Sequence, residues 1–566
     1  MTPAIRSLVF VLAALGVRAL APVPAMAQWF DPAKGLDPQQ IFNPPQDAWL
    51  TYSGDYSGRR YSPLTQLNQS NVKNLSLAWA THVVVGPESP VGTPPVIVGG
   101  TEQGVDARYP VTLKCAILQV GGILYVTSPD NAWALDARDG HEIWHYYWKT
   151  KGGTHTGNRG VGMWHNWVYL ETPDNYLVCL DAKTGEERWR KEIASFELQY
   201  FSSMSPIVVG NHLLVGTGDD MDEPGMLESY DPDTGDLQWR FYTVPMKKGD
   251  PGAETWANID AAAHGGGNVW APGSYDPETR LYIFGTGNPS PAFTSQTRGP
   301  GDNLYTCSLL AVNVDTGKLA WWFQTSPHDT HDYDSAQTPV LFDGEFNGKP
   351  RKLVATLARN GFFFTLDRVT GEHLVTSKIT DAVNWDMGID KRGEPIRNPA
   401  KDYAIGGAIV SPNSLGVTNW TPQSYDPVTR LFYAHVAESY SMRYLGTLDP
   451  KGAMGLTGVP GADMGSRGNR LVAVDYKTGK IVWCHRYAGV GGIDVRGDFP
   501  GLLTTAGKLL FATDPNGDLV ARDPLNGKPL WYTKIHPTSA AETYMLDGHQ
   551  YILVGASDMV YAFVLN

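Results

Sequence analysis

The chain repeats one pattern, Asp/Asn-x3-Gly-x3-Trp. It occurs at Asp136/Gly140/Trp144, Asp181/Gly185/Trp189, Asp231/Gly235/Trp239, Asn313/Gly317/Trp321, Asp475/Gly479/Trp483 and Asp523/Gly527/Trp531. A degenerate copy runs Asp367/Gly371/Val375. Short apolar segments such as LVCL, LLAV and LVAV precede the copies. Each copy therefore reads as a strand, an Asp-started tight turn with Gly where φ turns positive, and a second strand carrying Trp. A lone hairpin is marginal in water, so the copies must stack on one another.

Two wider gaps, Gly235 to Gly317 and Gly371 to Gly479, each hold a further strand pair announced by SYDPETRLYIF or SYDPVTRLFYA. They read as single units with long inserted loops. Trp79, in NLSLAWA, has no strand and turn of its own before it, and the C-terminal MVYAFVLN ends as a strand without a Trp partner. Joined, they make one unit. Trp79, Trp144, Trp189, Trp239, Trp321, Val375, Trp483 and Trp531 then predict an all-β fold. It is an eight-bladed β-propeller with Trp docking motifs, closed by the N- and C-terminal strands so that no sheet edge is free. Seven blades is the nearest alternative. The 61 Gly, 40 Pro and 18 Trp among 566 residues suit many short strands joined by tight turns.

A net charge of −13 leaves no basic stripe to replace the counterions of a nucleic acid or an anionic membrane. A small neutral or cationic partner fits better. At the N-terminus, Arg6, the apolar run Leu8 to Val17 and the small-residue pattern Ala25-Met26-Ala27 read as a secretory signal cleaved after Ala27. The expected organisation is a signal peptide over 1–27 and a single propeller domain over 28–566. The expected product is periplasmic and has no membrane span. Cys115, Cys179, Cys307 and Cys484 are widely separated, and sequence alone does not pair them. No Cys-x-x-Cys-His is present, so no covalent haem is built in.

Residues 326–334 read SPHDTHDYD, with three carboxylates and two imidazoles in nine positions. The residue types allow a metal site, a general base or a polar loop.

At this level the chain resembles the periplasmic quinoprotein alcohol dehydrogenases. The resemblance covers nearly all of residues 28–566. It rests on the Trp repeats, SGDYSGRRYSPLTQLNQSNVKNLSLAW, GGGNVW (265–270), YDPETRLYIFGTGNPSP (275–291), GDNLYT (301–306), SPHDTHDYD and ARNGFFFTLDR (358–368). It implies pyrroloquinoline quinone (PQQ) and a metal ion, Ca²⁺ or a lanthanide, at the centre of the propeller. Trp270 is then the ring beneath the quinone, a role its place outside the repeat register favours. Arg159 and Arg359 are implied as cationic contacts, Thr172 and Thr217 as hydroxyl donors, and Asn419 as an amide near the quinone. The implied metal ligands are Asp220, Asn288, Asp332 and Asp334, an all-oxygen set that suits a hard cation. Asp332 matches the catalytic general base, and Asp334 stands where the lanthanide-using members carry an extra carboxylate. Alternation along an extended strand would place both on one face. His328 and His331 are assigned to structure.

The chain departs from the family's pattern in three places. Gly153 and Thr154 stand where adjacent Cys residues form a ring disulfide, Lys114 where an early Glu is expected, and Phe499 where a second Trp lines the substrate end. The resulting reading is a dehydrogenase for an alcohol or sugar that passes electrons to a separate cytochrome c or quinone acceptor. The alternatives are a cofactor-less propeller that binds a ligand or protein, and an envelope-assembly scaffold with the same Trp repeat.

Overall fold

A computed structural model describes residues 36–106, 111–153, 156–218, 222–445, 461–487 and 499–565. The signal read at 1–27 lies outside them, and so does Asp220. The fold is an all-β propeller. The described residues form eight sheets of four or five strands and one small hairpin, Asp386–Ile389 with Pro395–Arg397. The one α-helix among them is the single turn Ile259–Ala263, capped by Asn258, whose side chain accepts from the Ala261 N–H at 2.9 Å.

The repeat works through its turn. Asp181 Oδ1 accepts the backbone N–H groups of Lys183 and Thr184 at 2.9 and 2.8 Å, and the Gly185 N–H returns to the Asp181 carbonyl at 2.8 Å. Gly185 sits at φ +74°, which costs glycine no Cβ clash. Its bare backbone lies against Trp144 of the preceding copy, since a Cβ there would come within 2.7 Å of the indole. Gly140 meets Trp79 in the same way, Gly235 Trp189, Gly317 Trp239, Gly371 Trp321 and Gly527 Trp483. Most of these indoles also donate to a carbonyl in the next turn, Trp144 to Ala182 at 3.1 Å and Trp239 to Val314 at 2.8 Å. Trp531 donates to Leu75 at 3.0 Å, which links the last copy to the first. In the degenerate copy Val375 packs against Gly479 with no N–H to offer.

The termini share a sheet. Strand Leu75–His82 pairs antiparallel with Met559–Leu565, placing Trp79 opposite Ala562. Two further additions are parallel: Tyr61–Ser62 beside Leu503–Thr505, and Ile97–Gly100 beside Glu142–Lys149. Arg60, 1 % exposed, ties this region together by donating to the carbonyls of Leu502, Tyr52 and Ala541. No helix among the described residues is long and apolar enough to cross a membrane. All four cysteines are free thiols, three buried and Cys484 exposed.

Candidate active site

The site is built from loops that interrupt the repeat. Gly266 and Gly267, at φ +75° and +81°, let the segment before Trp270 pass close to the backbone around Asn288. Gly267 N–H donates to the Asn288 carbonyl at 2.9 Å, and Gly287 N–H to the Asn268 carbonyl at 2.8 Å. Val269 N–H reaches the Thr217 carbonyl at 3.4 Å. Trp270, Asn288 and Thr217, on three separate segments, are thereby brought together.

In SPHDTHDYD the first carboxylate shapes the loop. Asp329 Oδ2 accepts the backbone N–H groups of His331, Asp332 and Tyr333 at 3.3, 2.8 and 3.1 Å. Burial raises its pKa, against the pull of His331, these N–H groups and Arg298. Asp332 is held at φ +69°. The two histidines are occupied by main chain, His328 Nδ1 with the Gly301 carbonyl at 2.6 Å and His331 Nε2 with that of Lys401 at 3.0 Å. The carboxylates of Asp332 and Asp334 are left to face Arg359.

Arg359 is 5 % exposed. Its Nη2 donates to Asp332 Oδ2 at 2.8 Å and its Nη1 to Asp334 Oδ2 at 2.6 Å. Burial alone would lower its pKa, but the two carboxylates outweigh that cost and hold it above the ordinary value, so the guanidinium is a fixed cation. Asp334 also accepts from Trp270 Nε1 at 3.1 Å and from the Asn288 N–H at 2.6 Å. The guanidinium of Arg159 lies 4.6 Å from the ring centre of Trp270 and 4.9 Å from that of Trp420, with Nη1 on Ser203 Oγ at 2.6 Å. Trp420 and Ser203, which the sequence did not single out, thus join the cluster around Arg159. Trp420 has the same signal as Trp270, an indole outside the repeat register.

Other expected contacts are turned elsewhere. The Thr172 hydroxyl donates to Asp174 Oδ1 at 2.6 Å and accepts from the Tyr176 N–H at 2.9 Å, so its one donor is already used. Asn419 bonds within its own loop, to the Leu415 carbonyl and from the Trp420 N–H. Thr217 Oγ1, by contrast, is buried with no hydrogen-bond partner among the described residues. At Gly153 a Cβ would stand 2.9 Å from that of Pro173, so the position has no room for a half-cystine. Lys114 lines a small cavity of about 10 Å³ together with Trp420 and Pro500. Phe499 stacks on His435 with ring centres 4.7 Å apart. A larger cleft of about 630 Å³, lined by Tyr200, Met226, Tyr242 and His264 among others, contains none of the expected site residues.

Comparison with known proteins agrees with this architecture. The model of the PQQ glucose/ethanol/alcohol dehydrogenase β-propeller domain matches residues 49–381, and that of the outer membrane assembly factor BamB matches 456–563. The chain is 34 % identical to the quinoprotein alcohol dehydrogenase PedH of Pseudomonas putida, over 92 % of this chain and 86 % of that one. It is 33 % identical to the quinohemoprotein alcohol dehydrogenase of Comamonas testosteroni, over 89 % and 72 %. The crystal structure of the Comamonas testosteroni enzyme superposes with a TM-score of 0.81 at 30 % identity, covering 94 % of this chain and 82 % of that one. A europium-containing methanol dehydrogenase shares the fold, with a TM-score of 0.79 at 24 % identity over 94 % and 100 %. The chain belongs to the PQQ-dependent alcohol dehydrogenase family.

Proposed function

We propose that residues 28–566 form one domain of eight Trp-docked blades, exported to the periplasm by the segment 1–27. In this reading it oxidises an alcohol or sugar with PQQ and a hard cation, and passes the electrons to a separate cytochrome c or quinone acceptor. The observation that carries the reading is the placement of Asp332 and Asp334 on the two terminal nitrogens of buried Arg359, with the Trp270 ring bonded to Asp334.

The residues present fit the two groups. Trp270 is only half-buried, which leaves ring surface for a flat aromatic ligand, and Arg159 supplies positive charge for an anionic one, while the charge of Arg359 is met by Asp332 and Asp334. Thr217, whose carbonyl accepts the Val269 N–H just before Trp270, has a buried hydroxyl with no partner among the described residues. The carboxylates of Asp332 and Asp334 and the amide oxygen of Asn288 are an oxygen-only donor set, which suits Ca²⁺ or a trivalent lanthanide rather than Zn²⁺. Asp220 completes that set by resemblance alone.

When bound, the quinone supplies the acceptor for the carbinol hydrogen and the cation polarises its reacting carbonyl. The chain's own contribution is acid–base chemistry and positioning. Asp332 takes the hydroxyl proton on a carboxylate oxygen, and Arg359 Nη2 at 2.8 Å fixes the orientation of that carboxylate. Arg159, held by Ser203, fixes charge over the Trp270 face. The test is reconstitution with PQQ and with Ca²⁺ or La³⁺ in parallel, followed by quinone absorbance and dye-linked oxidation of an alcohol panel. Bound quinone and turnover with at least one ion are expected. Protein that binds quinone yet turns over nothing with either ion overturns the dehydrogenase reading and leaves a ligand-binding propeller.

A further inference from the structure

Three loops meet at one carboxylate. Asp334, 4 % exposed, accepts Trp270 Nε1–H at 3.1 Å and Arg359 Nη1–H at 2.6 Å on Oδ2, and the Asn288 backbone N–H at 2.6 Å on Oδ1. Trp270 leads into strand Ser274–Asp276, Asn288 follows strand Leu281–Gly285, and Asp334 belongs to the SPHDTHDYD loop. An indole has a single hydrogen-bond donor. Its χ2 torsion is broad, so packing on one face leaves the ring free to rock, while an anchored N–H fixes its plane. Arg159 covers the Trp270 ring at 4.6 Å, and Asp334 holds its edge.

We propose that Asp334 is a positioning residue for Trp270. It sets the plane of the indole and ties that plane to the oxygen cluster around Asp332 and Asn288. Through this bond the ring responds to whatever draws on the Asp334 carboxylate, so occupancy of the oxygen cluster and occupancy of the ring face are linked. The role rests on the proposed function only where it concerns the quinone. The bond itself belongs to the bare protein.

The experiment is a double-mutant cycle of Asp334→Ala and Trp270→Phe, because phenylalanine keeps a ring but has no N–H to donate. The first readout is tryptophan emission of the metal- and quinone-free protein. Asp334→Ala is expected to shift the emission when Trp270 is present and to leave it unshifted in the Trp270→Phe background. The second is quinone affinity by equilibrium dialysis without added metal, where Asp334→Ala is expected to weaken binding roughly tenfold alone and by a clearly smaller factor on top of Trp270→Phe. Equal effects of Asp334→Ala in both backgrounds, on either readout, overturn the proposal. If the wild type binds no quinone, the function proposed above falls and the emission cycle still decides the positioning role. If Asp334→Ala does not fold, as judged by thermal melting, Asp334→Ser takes its place in the same cycle.

Discussion

Arg359 holds Asp332 and Asp334 at once, its Nη2 2.8 Å from one carboxylate and its Nη1 2.6 Å from the other. Asp332→Asn keeps an oxygen that can accept from Arg359 but removes proton acceptance. Quinone and cation are expected still to bind while turnover falls roughly 10²- to 10⁴-fold, the span of a general-base contribution. Reconstituted variant and wild type compared by absorbance and by dye reduction check this. A variant with near-native turnover would remove Asp332 from the role of base.

Asp334→Ala takes one negative charge from the oxygen cluster. Affinity for La³⁺ is expected to drop by a larger factor than affinity for Ca²⁺, because the lost Coulomb energy scales with ion charge. Parallel metal titrations of the quinone-loaded protein measure both. Equal losses for the two ions would count against Asp334 as a ligand.

Glu542 provides a pH signature. Burial pushes its pKa up to about 8 from the ordinary 4.5, against the opposing charge of Arg60 and the Ile117 N–H. The folded chain therefore holds this proton more tightly than the unfolded chain does. The stability contributed is full below about 4.5 and is lost as pH rises through about 8, at no more than about 1.4 kcal/mol per pH unit. Glu542→Gln, which stays neutral, is expected to flatten the fall in urea midpoint between those two values. Parallel pH profiles for wild type and variant would refute this.

Gly527 stands at φ +74°, and a Cβ there would come within 2.7 Å of Trp483. Gly527→Ala is expected to destabilise by more than about 1 kcal/mol, from backbone strain plus displacement of the indole. Gly548 has φ +84° with nothing within 4 Å, so Gly548→Ala reports the strain alone. Urea unfolding of the pair measures the packing part by difference. Equal losses would mean that the Trp–Gly contact adds nothing.

Thiol titration is expected to label Cys484 in the native protein and all four cysteines after denaturation, since Cys115, Cys179 and Cys307 are buried. Burial also raises the Cys115 and Cys179 thiols to about 12, suppressing their reactive form. Native labelling of a second cysteine would contradict the packing.

The repeat was legible because its signal is periodic and local. The same Asp, Gly and Trp that mark it in the sequence make the turn, the left-handed glycine and the inter-sheet contact. Trp270 could be singled out because it falls outside the period and Arg159 because its GNRGVG segment resembles the family's, and the structure brings the two to 4.6 Å. Trp420 breaks the period as well, and the same criterion would have found it. A matching position at Thr172 says nothing about Asp174 two residues on, which accepts the hydrogen bond of its hydroxyl. The parallel pairing of Ile97–Gly100 with Glu142–Lys149 had no signal at all, because a short strand joined through a long connection carries neither a turn motif nor a period of its own.

The sheet shared by Leu75–His82 and Met559–Leu565 makes the closure of the fold depend on two segments far apart in the chain. Closing so long a span costs chain entropy that grows only slowly with length. Each strand leaves the other's edge unfilled until both are in place. Removal of Met559–Leu565 would therefore bare a pairing-competent edge on Leu75–His82, and a bare edge is prone to aggregate.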